Sequence, residues 1–114
     1  MHIEIRNAQI TSTMLGVEDH GILTCYLVCE WQGTGCGFGG YALNQYDASL
    51  KKRIADGHAA QAIPEIMSVV GVSKWEDLPG KYIRIAETGL GGKIVKIGNL
   101  IEDKWFSFEE WFAN

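Results

Sequence analysis

The run from Ile22 to Trp31 alternates two sets of residues that are both largely nonpolar, with Leu23, Cys25, Leu27, Cys29 and Trp31 on one face and Ile22, Thr24, Tyr26 and Val28 on the other. A strand with two apolar faces belongs in the interior of a sheet, or is covered on one side by a second subunit. Ahead of it, Ile3 and Ile5 share a face of a strand over 2–13, and Ala8 and Ile10 resume the pattern after a step of three, which predicts a β-bulge near Asn7. A loop over 16–21 joins the two strands. Gln32 to Gly35 predicts a turn into a third strand over about 36–43, which completes an antiparallel meander. Here Gly33, Gly35, Gly37 and Gly39 fall on every second residue and bare one face of the chain. A bare backbone invites close approach by a helix, a second subunit or a flat ligand.

Residues 44–56 are polar and read as an exposed connection. Ala59, Ala62, Ile63, Ile66 and Val70 then recur at steps of three or four, the apolar stripe of a helix over about 58–70 that ends at Gly71. Pro64 is compatible only with a first turn, so the regular part begins just before it. Ser73 and Glu76 have capping-box spacing and open a short turn that Pro79-Gly80 closes. Lys81 to Glu87 and Lys93 to Gly98 predict a second hairpin across Gly89-Leu90-Gly91-Gly92, with Ile94 and Lys96 on one face and Val95 and Ile97 on the other. Ser107 and Glu110 repeat the capping spacing and start a short C-terminal helix whose aromatic residues pack back on the sheet. The predicted fold class is α+β. A β-meander and a second hairpin form the antiparallel sheet, one central helix packs on it, and residues 1–114 form a single domain.

With 114 residues and 46% hydrophobic composition, the chain can bury a core without staples. No apolar run reaches the ~20 residues of a membrane helix, and the first residues lack a signal peptide's pattern, so a cytoplasmic protein is expected. The three cysteines, an odd number, favour reduced thiols; Cys25 and Cys29 lie too far apart along one strand to share a disulfide or a zinc ion. A net charge of −4 with scattered Lys and Arg disfavours nucleic acid as the main partner.

Gly35 to Gly40 matches the G-x-G-x-x-G string, but the chain continues as strand where a dinucleotide fold needs a helix. Gly89 to Lys93 lacks the Ser/Thr of a phosphate-binding loop and reads as a hairpin turn, although successive amides beside Lys93 could hold an anion. Asp19-His20 pairs a carboxylate with an imidazole, yet no nucleophile can be placed beside them. His2, His20 and His58 have no metal-ligand spacing, and neither metal nor cofactor is expected. Trp31, Phe38, Tyr41 and Trp75 could stack on a base or serve the core.

The stretches Gly-Val-Glu-Asp-His-Gly-Ile-Leu-Thr (16–24), Gly-Phe-Gly-Gly-Tyr-Ala-Leu (37–43), Trp-Glu-Asp-Leu-Pro-Gly-Lys-Tyr-Ile-Arg (75–84) and Ile-Gly-Asn-Leu-Ile-Glu-Asp-Lys-Trp-Phe (97–106) together resemble a family of small phage- and prophage-encoded proteins. That family supplies no catalytic or binding residues to transfer. The 75–81 segment alone is similar to one in phage recombination-associated single-strand-binding proteins. The resemblance implies a non-enzymatic inhibitor of host antiviral defence, working in the host cytoplasm and most simply by sequestering a nucleotide signal. The alternatives it leaves are an anti-CRISPR protein that occludes a nuclease complex and a single-strand-binding accessory. For a nucleotide, Arg84, Lys93 and Lys96 are the expected phosphate contacts, provided Arg84 and Lys96 share a face. Trp31, Phe38 and Tyr41 are the expected stacking surfaces. The two apolar faces of 22–31 and the bare glycine edge predict a homodimer.

Overall fold

In a computed structural model of the protein, which describes residues 3–89 and 92–114, the first strand, β1 (Glu4–Glu18), is much longer than the pattern over 2–13 predicts. The expected turn centre at Leu90 and Gly91 lies outside the described residues, as do Met1 and His2. β1 continues through the expected loop, and only Asp19–Gly21 turn the chain, with His20 in the left-handed region at φ 63°. It pairs antiparallel with β2 (Ile22–Trp31), and Gln32 and Gly33, both at positive φ, make a two-residue hairpin turn into β3 (Thr34–Gly39). The third strand therefore starts earlier than expected and stops at Gly39, short of Leu43.

The other edge of β1 pairs with β6 (Tyr82–Glu87), which continues through β7 (Ile94–Gly98) to β8 (Trp105–Phe106). Meander and hairpin are thus one six-stranded antiparallel sheet in the order β3-β2-β1-β6-β7-β8. The expected α+β architecture is present, with β2 in the interior of the sheet as its apolar faces require.

Two register shifts decide which residues face the core. The first lies between Ile10 and Ser12, not near Asn7, and Thr11 Oγ1 donates to the Val28 carbonyl there. Ala8 and Ile10 are buried while Ile3 and Ile5 are 44% and 51% exposed, so the step of three marks a change of face and not a bulge. Beyond the true bulge, Thr13, Leu15 and Val17 take over the core side, opposite Leu27, Cys25 and Leu23. The second shift, between Ala86 and Glu87, buries both Ile94 and Ile97 and leaves Lys96 on the outer face, against the simple alternation read from sequence.

Residues 44–56 are not a plain connection. β4 (Asn44–Asp47) and β5 (Lys52–Ala55) form a separate hairpin, whose turn is organised by Asp47 Oδ1 accepting from the Ser49 amide and hydroxyl and from the Leu50 amide. The hairpin sits beside the far end of β2, where Leu43 N donates to Leu23 O and Asn44 Nδ2 to Gly21 O.

The central helix is bent into α1 (Gly57–Ala60), capped by Asp56, and α2 (Ala62–Val70), with Pro64 in the first turn of α2 and Gly71 as its left-handed cap. Ala62, Ile66 and Val69 face the concave side of the sheet, and Asn99 Nδ2 donates to Val69 O. The short turn at Trp75–Asp77 follows Lys74 with no side-chain cap, so the Ser73/Glu76 box does not form. At Ser107 the N-cap bond does form: Ser107 Oγ accepts from Glu110 N at the start of α3 (Phe108–Ala113).

The alternate glycines differ sharply in their surroundings. Gly35 and Gly37 lie exposed on the convex side, where a Cβ at Gly37 would meet only the Leu27 carbonyl at 4.0 Å. The Glu30 side chain lies against Gly35, where a Cβ would fall 3.1 Å from Glu30 Cγ and 3.4 Å from the Cys29 carbonyl, whereas no described side chain comes within 4 Å of a Cβ at Gly37. Gly39 has φ +116°, and a Cβ there would fall 2.5 Å from the Cys25 carbonyl. In urea unfolding, Gly39→Ala should therefore lose about 2 kcal/mol or more. Gly37→Ala should stay within about 0.5 kcal/mol of the parent. Equal losses would show that this steric account is wrong.

Candidate functional site

The sheet curls until the free edge of β3 approaches β7, with Cys36 Sγ 3.9 Å from the Gly92 carbonyl. Between these edges lies a slit of about 210 Å³ lined by Gly37, Phe38, Gly39, Tyr41, Lys93 to Val95, Phe108 and Glu109. Its floor is aromatic. Phe38 stands 5.1 Å from Phe108 and 6.4 Å from Phe106, and Tyr41 lies 4.9 Å from Phe108 and 5.5 Å from Phe112, centroid to centroid. Phe38 is 4% exposed and belongs to the core as much as to the slit, whereas Tyr41 is 40% exposed.

Lys93 forms the rim with Glu109, Nζ to Oε1 3.1 Å. The hydrogen bond to Glu109, the Glu109 charge and then Tyr41 hold the lysine above its ordinary pKa. Both side chains are largely exposed, so the pair is screened and readily exchanged for another anion. On the far side of this pair a larger cleft of about 550 Å³ shares Lys93, Val95 and Glu109 with the slit and adds Lys96, Ser107 and Glu110.

Of the six residues proposed from sequence, Phe38, Tyr41 and Lys93 meet at the slit and Lys96 lies in the adjoining cleft. Arg84 and Trp31 do not join them. Arg84 and Lys96 share the convex face as their strand register requires, but both are drawn to Trp105, at 4.7 and 4.8 Å from its ring centroid. Arg84 also donates to the carbonyls of Asn99 and Glu102, each at 2.8 Å, which ties the 99–104 loop to the sheet. Trp105 lies flat over Gly98, where a Cβ would come within 2.5 Å of the ring. This arrangement is invisible in sequence because Gly98 and Trp105 become neighbours only through the β7–β8 register.

Trp31 lines a different cleft of about 510 Å³ with Arg6, Thr34, Cys36 and Glu87. At its base Arg6 Nε donates to Glu87 Oε2 at 2.7 Å, and Glu87 Oε1 accepts from the Gly89 amide. The buried carboxylate is thereby satisfied, in a diagonal pair across the β1–β6 ladder. Trp75 is in the core, with an indole N–H that has no partner among the described residues.

Asp19 and His20 are exposed at the tip of the β1–β2 hairpin. No group of His, Cys, Asp and Glu among the described residues is arranged to hold a metal ion. Among the described residues no helix is long and apolar enough to cross a membrane. Comparison of the chain with protein-family models, with curated proteins and with solved structures finds no match.

Cys29 and Cys36 are direct cross-strand partners, a pairing that reading β2 alone does not reveal. Burial pushes the Cys25 thiol up to about 11 and the Cys29 thiol up to about 12, the latter with a further contribution from Cys36. A thiol-directed alkylating reagent at pH 8 should therefore add one label to the native protein, at Cys36, and further labels only on unfolding. Fast labelling of Cys25 would contradict this. Arg84→Ala should lower stability by about 2 kcal/mol through loss of its charged hydrogen bonds and ring contact. An unchanged unfolding midpoint would argue against its role as a clamp.

Proposed function

We propose that the chain is a non-enzymatic binding protein of the phage accessory kind, and that it sequesters a small nucleotide signal at the slit between β3 and β7. The observation that carries this reading is the convergence of Tyr41, Phe38 and Lys93, a ring face and a cation, at one exposed recess beside bare glycine backbone. A slit of 210 Å³ has room for a base but not for a whole nucleotide. The adjoining 550 Å³ cleft gives the sugar and phosphates a place beside Lys93 and Lys96. Stacking against Tyr41 and charge-assisted bonds to Lys93 are the contributions these side chains can make. Glu109 opposes them, because it occupies Lys93 and repels a phosphate.

Calorimetry against a panel of cyclic mono- and dinucleotides tests the reading. Lys93→Ala and Tyr41→Ala should each weaken binding by about tenfold or more, Glu109→Gln should tighten it, and Arg84→Ala should leave it unchanged. Ligand recovered intact after denaturation is expected of a sequestering protein, whereas turnover products would refute the non-enzymatic reading. If the parent binds no nucleotide of the panel but retains a host nuclease complex, occlusion of a protein target replaces this reading. The chain's acidity suits such a target.

A further inference from the structure

We infer that the free edge of β1 over residues 12–18 is an interface for a second copy of this chain, paired antiparallel about a two-fold axis at Leu15. This inference is independent of any nucleotide. β6 begins at Tyr82, opposite Gln9, and the lane beside β1 is filled one step further only by Gly80 and Lys81, which exchange backbone hydrogen bonds with Ile10. From Ser12 onward β1 has β2 on one side and no strand among the described residues on the other. The opposite flank of the same hairpin is covered by the segment leading into β4.

Natural edge strands are usually kept from pairing by lysine, proline, an inward charge or brevity. The free part of β1 has none of these. Gln9 to Val17 contains no charged residue and no proline, and its bulge lies before the free stretch. Leu15 and Val17 face the concave side there, yet are 39% and 67% exposed, although Cys25 opposite Leu15 is buried.

The occupant is identified by symmetry and charge. An antiparallel pair of identical strands satisfies a two-fold axis automatically, with residue i opposite residue 30 − i when the axis passes through Leu15. Leu15 then meets its own copy, Val17 meets Thr13, and Met14 meets Gly16, so no like charges oppose one another. Glu18 falls opposite Ser12, next to the exposed Lys81 that ends the occupied part of the lane. Each copy thus offers an acidic tip to the other's basic stop. The chain supplies both halves of that match, and the shared apolar patch covers Leu15 and Val17 of both copies. This interface differs from the glycine edge of β3 that the sequence pattern suggests.

Light scattering across a concentration series should show a dimer of the parent protein. Leu15→Lys, which sets two ammonium groups against each other at the axis, and Val17→Lys should each weaken association at least tenfold, with the circular dichroism spectrum of the folded chain retained. Should Leu15→Lys fail to fold, Val17→Lys at the more exposed position carries the comparison. In a Cys36→Ser background, Leu15→Cys should form a disulfide-linked dimer on mild oxidation, since directly opposed residues of antiparallel strands have α-carbons about 4.5–5.5 Å apart. Val28→Cys, on the other face of the sheet, should not. A parent that stays monomeric at all concentrations, a dimer that survives both lysine substitutions, or cross-linking through position 28 and not 15 would overturn the assignment.

Discussion

Everything in this fold depends on β1 pairing on both of its edges. Through Gln9 and Ile10 it meets Glu30 and Cys29 of β2, and through Ala8 and Gln9 it meets Ile83 and Tyr82 of β6, so one strand joins halves of the chain that are more than 50 residues apart. Without that double ladder the meander and the second hairpin would each be a small sheet with one apolar face open to water. With it, the helix over 57–70 has a continuous concave surface to cover, and Ala8, Ile10, Leu27, Ile66, Ile83 and Ile85 become one core. The same strand sets the shape of the molecule. At about 3.4 Å per residue, a strand of 15 residues is comparable in length with the longest dimension of the molecule, 47 Å.

A curled sheet of this kind leaves two edges facing each other, and the chain fills the gap with rings. Phe38, Phe106 and Phe108 close it from within, Tyr41 and Phe112 extend the cluster to the surface, and His58 stacks on Trp111 at 4.7 Å while their backbones and rings exchange hydrogen bonds. Aromatic rings suit such a seam because they bury large areas without requiring strand pairing. The recess that remains beside them is a consequence of incomplete closure, which explains why it combines ring faces with bare backbone. Lys93 reaches it because the hairpin carrying β7 begins at that rim.

The cationic residues show how tertiary context reassigns chemistry. Arg84 and Lys96 lie on one face, as their register demands, but that face already holds Trp105, and its ring gathers both charges. Lys93 lies on the other side of the bulge, before the Glu87–Ile94 pair, and there it meets Glu109. The polar signal of residues 44–56 was likewise sufficient to place them outside the core, but not to show that Asp47 folds them into a hairpin guarding one flank of β1–β2.

Local pattern determined what local physics controls: the strand character of Ile22–Trp31, the helix stripe through Ala62 and Ile66 with its stop at Gly71, the place of Pro64 in a first turn, and the Ser107 cap. Each rests on side-chain periodicity or on a hydrogen bond within a few residues. Tertiary structure alone decided the β1–β6 pairing, the two bulges that swap faces at Thr11 and before Glu87, the Gly98–Trp105 contact, and the meeting of Tyr41 with Lys93. These depend on register between segments distant in sequence, and a one-residue shift reverses every inward and outward assignment that follows it. The glycine series illustrates the limit: four residues alike in spacing divide into a hairpin turn at Gly33, a tight approach of the Glu30 side chain at Gly35, open surface at Gly37, and a backbone contact at Gly39 that admits no side chain. Spacing could mark the strand, but only the partner strand could say which glycine it needs.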